Sequence, residues 1–263
     1  LTFEFVHPQS IVRRIWGHSD TILFVFAGAS AEFALNKAVD WLYFTGKLPS
    51  DPLGRLFSTV LYARRIVFAS EAAAHQTIDQ ITHIHRAVEK SRGDVIPDWA
   101  YRDVLYMLIH YSIAAFEVLH RPLKEEEKED VYDVFYRMGQ RMQLKQLPST
   151  YREWLIDRDR HMDADLVHSP LTDDLFKQYR KHLGGFRYRL LLEVQKTVVP
   201  GKVRRQLHFN KPGWIFGLLG IYKILRALGL GWFAKSLLLP KEYKRQVREL
   251  DQNSKVKIQK SKR

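Results

Sequence analysis

Turn-forming residues cut this chain at short intervals, and between the cuts no stretch alternates apolar and polar residues as a half-buried strand does. Gly46 through Gly54, Gly93 through Pro97, Arg121-Pro122, Leu147-Pro148-Ser149, Ser169-Pro170 and Gly184-Gly185 are the breaks. The runs between them carry apolar residues three and four apart, the spacing of one helix face. Helix-starting chemistry sits at their heads. Ser19-Asp20 opens an apolar run to Phe44, and a second runs from Leu56 to Ala69. Ser70 precedes a helix carrying His75, His83 and His85, and Asp98 is placed to cap a helix from Trp99 to His120. The acidic run Glu125–Asp130 suits the positive end of a helix dipole, and Tyr151–Leu166 and Leu171–Leu183 follow. The pattern predicts an all-α fold without internal repeats.

A chain of 263 residues with 46% hydrophobic and 13% aromatic content can bury a sizeable core, as one large domain or two small ones. It contains no cysteine, which excludes disulfides, thiolate ligation of iron, iron–sulfur clusters and cysteine nucleophiles. Charge is unevenly placed. Residues 181–263 hold 20 Lys and Arg against 4 Asp and Glu, a net of +16, whereas residues 1–180 carry a net of −3. Such a basic third attracts anionic partners. Between Lys211 and Leu239, Trp214, Phe216, Trp232 and Phe233 are interleaved with single cations, a composition suited to an anionic membrane interface. A helical hairpin packed on the domain with its basic face in water is the plainer reading. Nucleic acid is the weaker partner, because these cations flank long apolar side chains and no nucleic-acid motif is present. The last stretch, Lys255 to Arg263, reads as disordered.

The longest stretch free of Asp, Glu, Lys and Arg is Val104–Phe116, too short for the ~20 residues of a spanning helix. Leu1-Thr2-Phe3-Glu4-Phe5 has neither the basic start nor the apolar core of a signal peptide. The start at Leu1 suggests trimming, so a lost leader stays open. The expected location is cytoplasmic or peripheral to a membrane.

Helical phase separates the three histidines of the Ser70 helix. His83 has Asp79, Gln80 and Arg86 around it, and His75 has Glu71 and Asp79; both settings are polar. Only His85 shares its face with Ile78, Ile81 and Val88. One helix upstream, in Asp51-Pro52-Leu53-Gly54-Arg55-x-x-x-Thr59, Arg55 and Thr59 lie four apart and so on one face. An imidazole in an apolar stripe near such a pair is what a haem pocket needs: an iron ligand on one side, a cationic donor for dioxygen on the other. Plainer roles stand beside these. His85 could be a packed, hydrogen-bonded imidazole, Arg55 a helix-start arginine paired with a carboxylate, and Thr59 a hydroxyl returning its proton to the backbone at i−4.

The ordered set Trp16, Asp51-Pro52-Leu53-Gly54-Arg55-Leu56, Ile84-His85-Arg86-Ala87-Val88, Ala100-Tyr101-x-Asp103-x-Leu105, Ile109-His110 and Leu147-Pro148-Ser149 resembles the rubber-oxygenase (latex-clearing protein) and mycophenolate-pathway prenyl-chain oxygenase superfamily. The similarity covers roughly residues 15 to 165. It implies haem b (iron) as cofactor, dioxygen as co-substrate, and oxygenation or oxidative cleavage of a C=C bond in a lipophilic substrate, isoprenoids included. It implies His85 as the proximal iron ligand, with Arg55 and Thr59 on the opposite, distal side as catalytic and cofactor-binding residues. There the guanidinium would stabilise negative charge developing on dioxygen. His110, beside Tyr106, Met107 and Ile113, is a second-tier cofactor-binding candidate, although a core histidine is its plainer reading. Two departures stand out. Ser58 occupies the place where some rubber oxygenases carry a lysine that closes the sixth iron position, and the glycine usual shortly after the valine is displaced to Gly93. The expectation is a globin-like core, with residues 1–185 as the haem-binding catalytic domain and 186–263 as a basic, aromatic-rich helical extension packed on it.

A di-iron bundle is the competing metal reading. It needs a Glu-x-x-His from each of two helices plus two further Glu. Glu117-x-x-His120 supplies one unit, Asp165-x-x-His168 is a partial echo, and Glu32 and Glu71 would have to serve as the extras. There is no Gly-rich phosphate loop, Gly-x-Ser-x-Gly elbow or His-Glu-x-x-His. Two further classes stay open: a haem-binding sensor or carrier without turnover, and a non-haem membrane-associated helical protein.

Overall fold

The computed structural model describes residues 3–46 and 50–209, the isolated positions 217 and 220, and only the backbone at Leu53, Leu56 and Phe57. The expectations for Lys211 to Leu239 and for Lys255 to Arg263 therefore lie outside the described residues, apart from Gly217 and Gly220. Within that range the protein is all-α, with helices α1 (Ile11–Gly17), α2 (Ser19–Leu35), α3 (Val39–Phe44), α4 (Pro52–Val67), α5 (Glu71–Arg92), α6 (Asp98–Leu119), α7 (Glu125–Arg141), α8 (Tyr151–Asp165), α9 (Pro170–Val198) and α10 (Gly201–Gln206).

Local chemistry explains most of the boundaries. Asp51 caps α4 by accepting from the Gly54 amide at 2.8 Å, and Pro52 fills the first turn, where a missing N–H does no harm. Gly93 ends α5 in the left-handed conformation, at φ 72°. Thr150 caps α8, and α6 starts from Pro97, with Asp98 inside the first turn rather than at the cap. One further boundary differs from expectation. The run to Phe44 is broken at Asn36, whose side chain donates to Asp103 Oδ2 at 2.6 Å and accepts from the Ala38 amide. Gly184 ends the first helical stretch of α9, as expected: its φ of 72° and ψ of 167° lie far outside the helical range, and a second stretch follows it to Val198.

The core is built on α2 and α6. α2 is apolar nearly all round, as befits a helix enclosed by others. The two backbones approach closely at Gly28, where a Cβ would sit 2.2 Å from the Tyr111 ring. Trp16, fully buried, meets Phe26 and Phe135 and so joins α1, α2 and α7. Arg64 of α4 donates to its carbonyl at 3.3 Å. Residues past the kink belong to the same core, with Val198, Val199, Val203 and Phe209 buried against it.

A polar seam crosses this core. Glu32 and Arg158 pair at 2.8 Å with side chains only 2% and 5% exposed, and Tyr111 donates to the same Glu32 oxygen at 2.7 Å. That seam ties α2, α6 and α8. Removing one member would leave a buried charge without its counter-charge.

Candidate functional site

Helices α2, α3, α4, α5, α6, α7 and α9 line a cavity of about 510 Å³, a volume within the range for cofactor and small-molecule sites. Its wall is apolar and aromatic. Among the described residues that line it there are two arginines, Arg55 and Arg187, and no carboxylate. Arg55, Ser58, Thr59 and His85 all line it, so the motif residues of α4 and α5 meet at one place.

His85 projects from α5 on the apolar face predicted for it, while His83 is exposed and His75 packs edge-on against Phe5. The Tyr101 ring stands edge-on to the His85 ring at 5.1 Å, and the Tyr101 hydroxyl is held by Glu89 at 3.1 Å. Nδ1 of His85 is buried and has no hydrogen-bond partner among the described residues. Burial, then the nearby Arg55 charge, pull its pKa down from 6.5 to about 4, against a smaller opposing pull from Glu89. The imidazole is therefore neutral at physiological pH, the form in which histidine binds a metal.

Arg55 is half-buried on α4. Burial lowers its pKa, and no carboxylate pairs with it among the described residues. A guanidinium nonetheless stays protonated, so the cavity wall carries a positive charge. Thr59 donates to the Arg55 carbonyl at 3.2 Å, and Ser58 to the same carbonyl at 2.7 Å. The proton of Thr59 is thus committed to the helix, and toward the cavity its oxygen can only accept. Of the polar pair, Arg55 is the donor.

The family model for the catalytic domain of "ER-bound oxygenase mpaB/B'/Rubber oxygenase" matches residues 13–233. The chain belongs to that family. This oxygenase-family domain is accordingly an oxidoreductase of the oxygenase kind, and the match extends past the roughly 15–165 span over which the resemblance is legible by motif. A comparison with curated proteins finds no match.

Not every residue singled out in the sequence reaches the cavity of this mpaB/rubber-oxygenase domain. His110 does not line it. It is half-buried on α6, edge-on to Tyr111, and burial with the Arg158 charge holds its pKa well below 6.5. The four residue groups of the di-iron reading are also separate. Glu32 is paired with Arg158, and Glu71 is exposed at the start of α5. Glu117 accepts from the Leu123 amide, and His120 stacks on Phe116. His168 pairs with Asp173 rather than with Asp165.

Asp165 belongs instead to a cluster that motif reading missed. Ligand atoms of Asp103, His161 and Asp165 lie within 4.8 Å of one another, with His161 Nδ1 2.5 Å from Asp103 Oδ1. The signal was present: Asp157, His161 and Asp165 recur every fourth residue on α8, one face of that helix. Asp165 has a raised pKa, first from burial and then from Asp103. The cluster is offset by protein groups. Asn36 donates to Asp103, the Lys37 and Arg102 charges act on Asp165, and Arg102 also approaches Asp157 at 4.0 Å. None of its three members lines the cavity.

Proposed function

We propose that this protein is a haem b-dependent oxygenase that adds dioxygen to, or cleaves with it, a C=C bond of a lipophilic substrate, isoprenoids included. One observation carries the reading: a neutral, unpartnered imidazole and an uncompensated guanidinium come from adjoining helices to line a single apolar cavity. These residues fit the cofactor. His85 would hold the iron, and the apolar and aromatic wall suits a porphyrin face. When bound, haem supplies the redox chemistry of dioxygen activation.

The chain's own residues supply position and charge. Tyr101, held by Glu89, packs edge-on against the His85 ring. Arg55 stabilises negative charge that develops on dioxygen, and does so more strongly against an apolar wall than it would in open solvent. Thr59, bonded to the Arg55 carbonyl, secures the turn that carries that guanidinium. The aliphatic side chains of α5, α6 and α9 hold an alkene without offering it a polar partner. The globin-like arrangement of the core remains part of the same proposal. No helix among the described residues is long and apolar enough to cross a membrane. Peripheral attachment is proposed on the net +16 of residues 181–263. Co-sedimentation with anionic vesicles, lost at high salt and absent with neutral lipid, is its expected signature; salt-indifferent behaviour would remove it.

Absorption spectroscopy tests the haem. Protein produced with haem precursor is expected to show a Soret band, lost in His85→Ala and kept in His83→Ala. A wild-type protein without the band, or equal bands in both variants, sinks the assignment of His85.

A further inference from the structure

Arg187 is the second arginine of the cavity, and no motif pointed to it. The kink at Gly184, whose φ of 72° suits a residue without a side chain, redirects the second half of α9. Arg187, Leu190, Leu191 and Val194 of that half line the cavity. The Nε of Arg187 is buried and has no hydrogen-bond partner among the described residues. Several other half-buried arginines have an acid: Arg92 has Asp40, Arg102 has Asp98 and Arg121 has Glu127, whereas Arg204 donates to the Lys196 carbonyl. Here no Asp or Glu among the described residues lines the wall, so two half-buried guanidiniums line an apolar space without an acid beside them. A cation partly removed from water without a counter-charge is unfavourable, and a bound anion relieves it.

We propose that Arg187 is the carboxylate-binding residue of this cavity, gripping the acid group of an otherwise apolar guest. An arginine fork matches a carboxylate with two parallel N–H···O bonds, while the aliphatic lining takes the body of the guest. The inference rests on the proposed function for what that guest is, since two carboxylates fit the same chemistry: a propionate of haem, or the acid end of a lipophilic substrate. Arg55 is left to the reacting oxygen, and Arg187 holds the anchor.

Two titrations separate the sources. In the first, haem b and its dimethyl ester, which has no free carboxylate, are added to the haem-free protein and followed in the Soret region. In the second, dodecanoate and dodecanol compete with an apolar fluorophore in the same protein. Wild type, Arg187→Gln and Arg187→Lys are compared, with melting temperatures recorded to confirm folding. A charge-assisted bond of this kind is worth roughly tenfold to a hundredfold in affinity. Arg187→Gln is expected to weaken at least one acid by that factor while leaving its uncharged counterpart unchanged, with Arg187→Lys intermediate. Loss for haem b alone identifies the propionate; loss for dodecanoate alone identifies the substrate. Should haem fail to bind in either form, the haem reading falls, and the fatty-acid arm still judges Arg187. Acid and neutral guests binding alike in all three proteins would overturn the proposal.

Discussion

Two regions of this molecule take arginine wholly or partly out of water, and they treat it oppositely. In the seam between α2, α6 and α8, Arg158 meets Glu32, and Tyr111 completes the carboxylate's bonding. In the cavity, Arg55 and Arg187 have no acid among the described residues, and His85 Nδ1 has no partner. A charge matched by the fold serves the fold. A charge left unmatched on a cavity wall is held for something that the chain itself does not supply.

The largest expected effect is in the seam. Arg158→Met should lower the unfolding free energy by about 3–5 kcal/mol, because it strands Glu32 in the core. Chemical denaturation checks this, and turnover per folded molecule should be little changed. A mild loss would mean that Glu32 takes up its proton readily and that the seam is not what pins these helices.

Arg55→Ala should reverse the pattern. Stability should hold or rise, since an uncompensated cation is removed, while kcat/KM falls by the equivalent of about 2–4 kcal/mol, the effect of deleting a charge-stabilising donor. Thermal melts and single-turnover oxygen kinetics read the two quantities separately. If melting drops as far as activity, Arg55 is a structural arginine and the contrast between the regions collapses.

The smallest effect concerns a paired charge at the surface. Arg121 grips Glu127 through both nitrogens, and that hydrogen bonding depresses the Glu127 pKa from 4.5 to about 2, despite an opposing effect of desolvation. A carboxylate with a depressed folded pKa contributes stability above its unfolded pKa, and the contribution disappears as pH falls from 4.5 through about 2. Because the pair is solvent-exposed, its worth is about 1 kcal/mol or less. Denaturation midpoints of wild type and Glu127→Gln should differ at about pH 6 and converge at about pH 2. Parallel midpoints at every pH would deny this pair a part in acid sensitivity.

The α-helical class and the phase of α5 were legible because both depend on local spacing. Ile78, Ile81, His85 and Val88 sit on one face wherever that helix is placed, and the Arg55–Thr59 turn needed only its own four residues. What stayed hidden depends on partners far along the chain. The break at Asn36 comes from a bond to Asp103, 67 positions away. Gly184-Gly185 reads as a stop, and the regular helix does break there; that a second helical stretch then packs on α2 and the cavity is set by distant partners. His110 shares an apolar face as His85 does. Nothing local tells that one lines the cavity and the other does not. Arg187 shows the same limit, since an arginine among basics looks ordinary until the acids near it are counted.

The Tyr101 ring, nearly perpendicular to His85 and tied to Glu89, has a consequence for the kinetics of loading. An imidazole free to spin would lose that freedom on binding, at a cost of roughly 0.5–1.5 kcal/mol for a side chain immobilised at an interface. Here the Tyr101 ring narrows that freedom before any guest arrives. Substitutions at Tyr101 or Glu89 should consequently change how long a guest stays more than how fast it enters.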